Sequence, residues 1–151
     1  MGAKRAEHQT LITGTPQQCF DALTDYDSMV EWQSSIKRCE VRLVDAEGRG
    51  KEVYWELDAK VRSVAYTLSY SYESPSWIGY TYVEGDISDV QGEYTFEDRG
   101  DGTTLATLSL KLDAGVWLPG PVAGLLNDQV MKRSLEDLKS HLEAAPQKSS
   151  S

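Results

Sequence analysis

Apolar residues along this chain change period three times. Residues 6–13 (AEHQTLIT) read as a first strand, which Gly14-Thr15-Pro16 ends. Thr15 followed by Pro16 is a helix start, with Thr as N-cap and Pro at the first helical position. Pro16, Cys19, Phe20 and Leu23 then fall at three- and four-residue spacings, giving one apolar helix face. Asp25-Tyr26-Asp27-Ser28 stops that helix and opens a short second helical turn ending near Trp32. From Ile36 to Gly102 the period is two. Cys39, Val41 and Leu43 mark one strand, and Val53, Trp55, Leu57, Ala59 and Val61 the next. A tight turn is expected at 60–63, followed by Val64, Tyr66, Leu68, Tyr70 and Tyr72. Ile78, Tyr80 and Tyr82 open a strand that ends at Glu84-Gly85-Asp86. Val90, Gly92, Tyr94 and Phe96 form another, and Arg99-Gly100-Asp101-Gly102 is a hairpin loop. Thr104, Ala106, Leu108, Leu110 and Leu112 carry the last strand. After Asp113 the period returns to 3.6, predicting a helix over 121–143 with Met131, Leu135, Leu138 and Leu142 on its core-facing stripe. Residues 146–151 read as a disordered polar tail.

Six strands joined by short turns make an antiparallel meander, with one face on a core and one in water. Adding the first strand gives an α+β domain over 1–145. Its curved antiparallel seven-stranded sheet wraps around the long C-terminal helix, and two short helices follow the first strand. A helix with one apolar stripe must bury it, and the concave sheet face is the only partner large enough. A sheet that curls around one helix leaves space beside it.

Charge and composition narrow the function. The chain has 151 residues with 15 Lys+Arg against 24 Asp+Glu, a net charge of −9. An isoelectric point near 4.7 argues against a nucleic-acid binder, which needs a basic face, and against docking on anionic lipid by charge. No stretch approaches the ~20 apolar residues of a membrane span, and the first residues lack the apolar core of a secretory signal. Cys19 and Cys39 lack metal-ligand spacing and read as small buried hydrophobes. A reducing cytoplasm is the expected location. His8 and His141 belong to no metal-binding pattern. His8 shares the parity of Ile12, and His141 is expected near the end of the last helix, where a cation suits the dipole. No Gly-rich loop precedes a helix as phosphates require. No metal and no cofactor is therefore expected. From Glu73 to Asp101 there are eight acids and one base, which reads as a solvated outer sheet face.

Several local pieces, taken in order, resemble one family. They are Thr15-Pro16 opening the first helix, 25–32 (DYDSMVEW) closing the helical section, and Glu84-Gly85-Asp86 at a strand end. Gly92-x-Tyr94-x-Phe96, Gly102-Thr103-Thr104 and Leu118-Pro119-Gly120-Pro121 complete the set. The order resembles the START/Bet v 1-like (SRPBCC) superfamily, in particular the bacterial polyketide cyclase/dehydrase and lipid-transport family, from about Ala6 to Glu143. The resemblance implies a helix-grip fold with a hydrophobic cavity, and a lipid, polyketide, quinone or hormone-like ligand.

The most informative residues are the tyrosines Tyr66, Tyr70 and Tyr72 with Tyr80 and Tyr82. A buried tyrosine must satisfy its hydroxyl, at a cost of about 1–3 kcal/mol if it cannot. Several on one face suggest a cavity, against the plainer reading of a packed core with hydroxyls reaching its rim. The expected ligand-binding set is Trp55, Tyr66, Leu68, Tyr70, Tyr80, Tyr82, Tyr94, Leu108, Asn127, Met131 and Leu135. Trp77 and Trp117 are candidates for a cavity mouth, and Trp32 is expected to anchor the helical section to the sheet. Catalytic candidates are Glu84, which shares the parity of Tyr80 and Tyr82, and Asp128, with Tyr66 and Tyr80. A carboxylate facing a cavity is desolvated and suited to acid–base work.

Three functions compete. The first is a carrier or sensor of a hydrophobic small molecule. The second is an aromatase/cyclase-like enzyme, which needs proton transfer beside a carbonyl. The third is a partner-binding protein using an outward Val122, Leu126 and Val130 patch. The expected partner is a small hydrophobic ligand, with no nucleic acid and no membrane segment, on a monomer or homodimer.

Overall fold

A computed structural model describes residues 5–58, 63–113 and 132–149. Strand β1 (Arg5–Thr13) leads into helix α1 (Pro16–Thr24), a 3-10 turn (Tyr26–Ser28) and helix α2 (Met29–Trp32). Thr15 and Gln18 cap α1 reciprocally. The Gln18 amide donates to the Thr15 hydroxyl at 3.1 Å, and the Thr15 amide donates to Gln18 Oε1 at 2.8 Å. The apolar stripe of α1 buries Cys19, Phe20 and Leu23, and the following turns bury Tyr26 and Met29.

Six strands then follow: β2 (Ile36–Val44), β3 (Gly50–Asp58), β4 (Ser63–Glu73), β5 (Trp77–Gly85), β6 (Asp89–Asp98) and β7 (Thr103–Asp113). They form one antiparallel sheet in the order β1-β7-β6-β5-β4-β3-β2. The first and last strands in sequence are therefore neighbours, and β1 and β2 are the edges. Even-numbered positions of β1, β4, β5, β6 and β7 and odd-numbered positions of β3 face the core. Ile12, Val53, Val64, Ile78, Val90, Leu108 and Leu110 are almost fully buried there.

Two strands depart from simple alternation. On β2 the ladder shifts register at Ile36/Arg38 and again around Leu43. Val41, Leu43 and Val44 are exposed, so the expected apolar face of this strand leaves the core at its far end. Bulges twist an edge strand away from its partner. On β5, Tyr82 pairs with Leu68 and Glu84 with Thr67, so Val83 is the extra residue of a bulge.

The C-terminal helix α3 (Ser134–Ser149) buries Leu135, Leu138 and Leu142. It lies against β1, α1 and α2. Lys139 Nζ donates to the Leu11 carbonyl at 2.7 Å, and the Thr13 amide donates to Glu143 Oε2 at 3.2 Å. The expected helix start near Pro121, with Asn127, Asp128 and Met131, lies outside the described residues, as do Trp117, the Val122 patch and positions 60–62 of the expected turn, whose last residue, Ser63, opens β4. The helix continues to Ser149, where the sequence predicts a polar tail from Pro146. One proline removes a single hydrogen bond and kinks a helix; here it does not end it. His141 is accordingly mid-helix, away from the C-terminal dipole. Trp32 stacks on its imidazole at 4.5 Å and 7° and packs against the core cluster, so this tryptophan also ties the helical section to α3.

Candidate functional site

Between the sheet and the helical elements lies a cavity of about 70 Å³, room for a few waters. Its sheet wall is aromatic. Trp55 of β3 stands directly opposite Tyr66 of β4, and Tyr70 of β4 opposite Tyr80 of β5. Tyr94 of β6 stands opposite Ile78. Their rings form a chain from Trp55 through Tyr26, Tyr70 and Tyr80 to Tyr94, with centroid separations of 5.8, 5.4, 5.5 and 6.3 Å. Leu57, Leu68, Val90 and Leu112 fill the spaces between them. Leu23 and Met29 close the cavity from the helical side, with Gln33, Ser35 and Ile36 at the corner entering β2.

Gly92 makes this wall possible. It lies opposite Tyr80 across the β5–β6 ladder. A Cβ there would sit 2.4 Å from Tyr80 Cζ and Oη. The Tyr80 ring therefore occupies space that any other residue at 92 would fill.

The polar contacts at the corner are stitched to α3. The Tyr94 hydroxyl hydrogen-bonds the Ser134 hydroxyl. Gln33 Nε2 donates to the Ser134 carbonyl at 3.2 Å, and the Ser34 amide and hydroxyl both donate to Asp137 Oδ2 at 2.9 Å. The hydroxyls of Tyr66, Tyr70 and Tyr80 make no hydrogen bond to another described residue. Burial pushes all three well above the ordinary phenol range. Burial pushes Tyr94 up to about 12, opposed by its bond to Ser134. At neutral pH these groups are protonated donors, not bases. Among the described lining residues there is no carboxylate, imidazole, ammonium or guanidinium.

Of the residues expected from sequence, Trp55, Tyr66, Leu68, Tyr70, Tyr80 and Tyr94 line the cavity. Leu108 and Leu135 are fully buried in the surrounding core, off the cavity wall. Tyr82 packs half-buried at the core margin. Glu84, expected to face inward, is exposed, because the Val83 bulge breaks the parity that predicts it. Tyr72 points into the helical section, bonding Tyr26 Oη at 2.8 Å and the Gly50 carbonyl. Trp77 lies on the outer sheet face, away from the cavity. Its indole crosses Gly79 and donates to Glu93 Oε1 at 2.6 Å. That face carries an open groove of about 250 Å³ beside Ser69, Ser71 and Thr81. Both cysteines are free thiols, with burial pushing Cys19 up to about 11 and Cys39 to about 12. Sequence reasoning missed Leu57, Ile78, Val90 and Leu112, although the same alternation marks them. It also missed Gln33 and Ser134, which no local pattern marks.

A curved antiparallel sheet closed over an apolar, tyrosine-rich cavity by a C-terminal helix defines a helix-grip protein of the START/SRPBCC superfamily. The family model for polyketide cyclase / dehydrase and lipid transport matches residues 3–143, and the chain belongs to that family. No curated protein matches the sequence. Among solved structures, a START superfamily protein from Mycobacterium smegmatis superposes with a TM-score of 0.82 at 15% identity, covering 93% of this chain and 98% of its own. A protein from Thermus thermophilus gives 0.78 at 17% identity, covering 94% and 99%. The Zhui aromatase/cyclase from Streptomyces sp. R1128 gives 0.75 at 18%, covering 95% and 93%. At these identities the likeness is one of fold.

Proposed function

We propose that this protein binds a hydrophobic small molecule of the lipid, polyketide or quinone kind in the cavity beneath α1, α2 and the start of α3, and acts as a carrier or sensor. The observation that carries the reading is the wall itself. It is an aromatic and aliphatic surface with neutral polar groups and, among its described residues, no ionisable acid or base suited to neutral pH. Apolar burial supplies affinity at about 25 cal/mol per Å² before the costs of association. The aromatase/cyclase reading needs a group that takes a proton beside a carbonyl. Glu84 is off the cavity, and the buried phenols are too weakly acidic to serve as bases near pH 7. A cytoplasmic location and a monomer or homodimer belong to the same proposal.

The test is native mass spectrometry of the purified protein, followed by denaturing extraction. A bound mass of a few hundred daltons, released from a Gly92→Leu variant whose Tyr80 is driven into the cavity, is the expected result. An apo mass with no uptake from lipid, quinone and polyphenol panels would overturn the reading.

A further inference from the structure

Burying a hydrogen-bond donor without an acceptor is costly, and native proteins keep few such groups. Among the described residues one buried side-chain polar atom is left without a partner, Trp55 Nε1. An indole N–H donates and never accepts, so only an acceptor can discharge it. The residue is 8% exposed and lines the cavity. Its ring meets Tyr26 at 5.8 Å and 76°, which fixes its orientation. The Tyr26 hydroxyl is engaged with Tyr72 and forms no bond to the indole. Nε1 is closed even to water in this arrangement, so solvent does not satisfy it either.

Around this donor the wall is of one chemical character. Tyr66 faces Trp55 across the ladder, and Tyr70 and Tyr80 continue the wall. Burial keeps these phenols protonated. The described lining holds no charged side chain that would compensate an ionised ligand, and an uncompensated charge is expensive to bury. The described surface therefore offers flat aromatic contact, several donors and, among its described residues, no counter-charge.

We propose that the cavity selects a neutral, flat ring compound bearing a carbonyl oxygen, and that Trp55 is the specificity-determining residue that reads that oxygen through Nε1. This rests on the ligand-binding reading above and names the chemistry of its ligand. The cavity of about 70 Å³ is smaller than such a compound. Binding therefore includes rotamer shifts of the unbranched or flexible neighbours Met29, Leu57 and Leu68, which uncover the N–H as the ring enters.

Three probes of one size separate the possibilities: 9-fluorenone, fluorene and fluorene-9-carboxylate, titrated calorimetrically into the full chain and into Trp55→Phe. Fluorenone is expected to bind about tenfold tighter than fluorene, the scale of one relieved buried donor, and the carboxylate weaker than both. Trp55→Phe is expected to bring fluorenone to within about twofold of fluorene while moving fluorene itself less than about threefold. A merely structural role would weaken both probes together. Proton NMR of the indole N–H signals gives a second readout that needs no substitution. One signal is expected to shift downfield with fluorenone and not with fluorene. Equal affinity for fluorenone and fluorene, or a fluorenone preference that survives Trp55→Phe, would overturn this inference and leave the cavity reading standing. Binding of none of the three would remove both.

Discussion

The two faces of this sheet carry the same kinds of aromatic residue under opposite conditions. On the outer face, Trp77 donates to Glu93 at 2.6 Å and Tyr54 donates to Glu56 at 2.7 Å. The Arg42 guanidinium lies 4.4 Å over the Tyr54 ring. Each polar handle is partnered where water would have served it. On the inner face Trp55, Tyr66 and Tyr80 are buried and Tyr70 half-buried, and among the described residues the Trp55 indole N–H is the buried handle left without a partner. Low dielectric makes an unmet donor most costly inside. The Trp55 donor is thus placed against stability, a cost that the proposed ligand contact would relieve.

The largest effect that separates the faces is the response to alkali. The inner phenols are raised above their unfolded range near 10, Tyr94 to about 12 and Tyr70 and Tyr80 well beyond the ordinary value. A raised acid holds its proton in the folded state after the unfolded chain has lost it. Its contribution is complete below pH 10 and is lost as pH climbs from 10 through 12 and above. Each tyrosine still protonated adds up to about 1.4 kcal/mol of destabilisation per pH unit. Urea midpoints are expected to be level from pH 7 to about 8, to decline gently near 9 as the two buried thiols begin to cost stability, and to fall steeply above 10. Stability level to pH 12 would mean the inner phenols are hydrated.

Next come the two glycines. Gly92→Ala is expected to cost about 1–3 kcal/mol, because the displaced Tyr80 ring is enclosed. Gly79→Ala puts a Cβ 2.3 Å from Trp77 ring atoms. That ring can lift into solvent, so the expected loss is about 0.5–1 kcal/mol, mostly its bond to Glu93. Equal losses in thermal denaturation would erase the distinction between the faces. The finest comparison is between two inner phenols. Tyr94→Phe removes a hydroxyl bonded to Ser134 and is expected to cost about 0.5–1.5 kcal/mol. Tyr66→Phe removes a hydroxyl with no partner among the described residues and is expected to stay within about 0.5 kcal/mol of the parent, or to stabilise it. A Tyr66→Phe loss as large as that of Tyr94→Phe would show that its hydroxyl is satisfied after all.

Much of this molecule is legible from alternation. The change of period locates the helical section, the six-strand run and the Leu135, Leu138, Leu142 stripe, because burial on one face imposes a period on the chain. Parity also puts Trp55, Tyr66, Tyr70, Tyr80 and Tyr94 on one surface. Parity fails where the ladder gains a residue. A count of two turns Glu84 inward because the Val83 bulge is invisible to it, and it assigns Val41 and Leu43 to the core although β2 bulges at an edge. Contacts set by tertiary geometry leave no local trace. Gln33 meets Ser134 across 101 positions, and Trp32 finds His141 on a helix whose direction is not written in either neighbourhood.

The β1 edge carries a further consequence. Residues 11 and 13 share a parity and turn their backbone groups away from β7. Lys139 holds the Leu11 carbonyl and Glu143 the Thr13 amide, while Lys139 and Glu143 pair with each other at 2.6 Å. Those two backbone groups are the ones an added strand would use. The last helix therefore acts as a guard as well as a roof, capping one open margin with an ion pair while bulges interrupt the ladder at the other. Lys139→Ala with Glu143→Ala should leave the folded signal intact and raise light scattering on mild heating; unchanged scattering would refute the guard. One helix thus both roofs the proposed cavity and occupies the strand-pairing groups of a sheet edge.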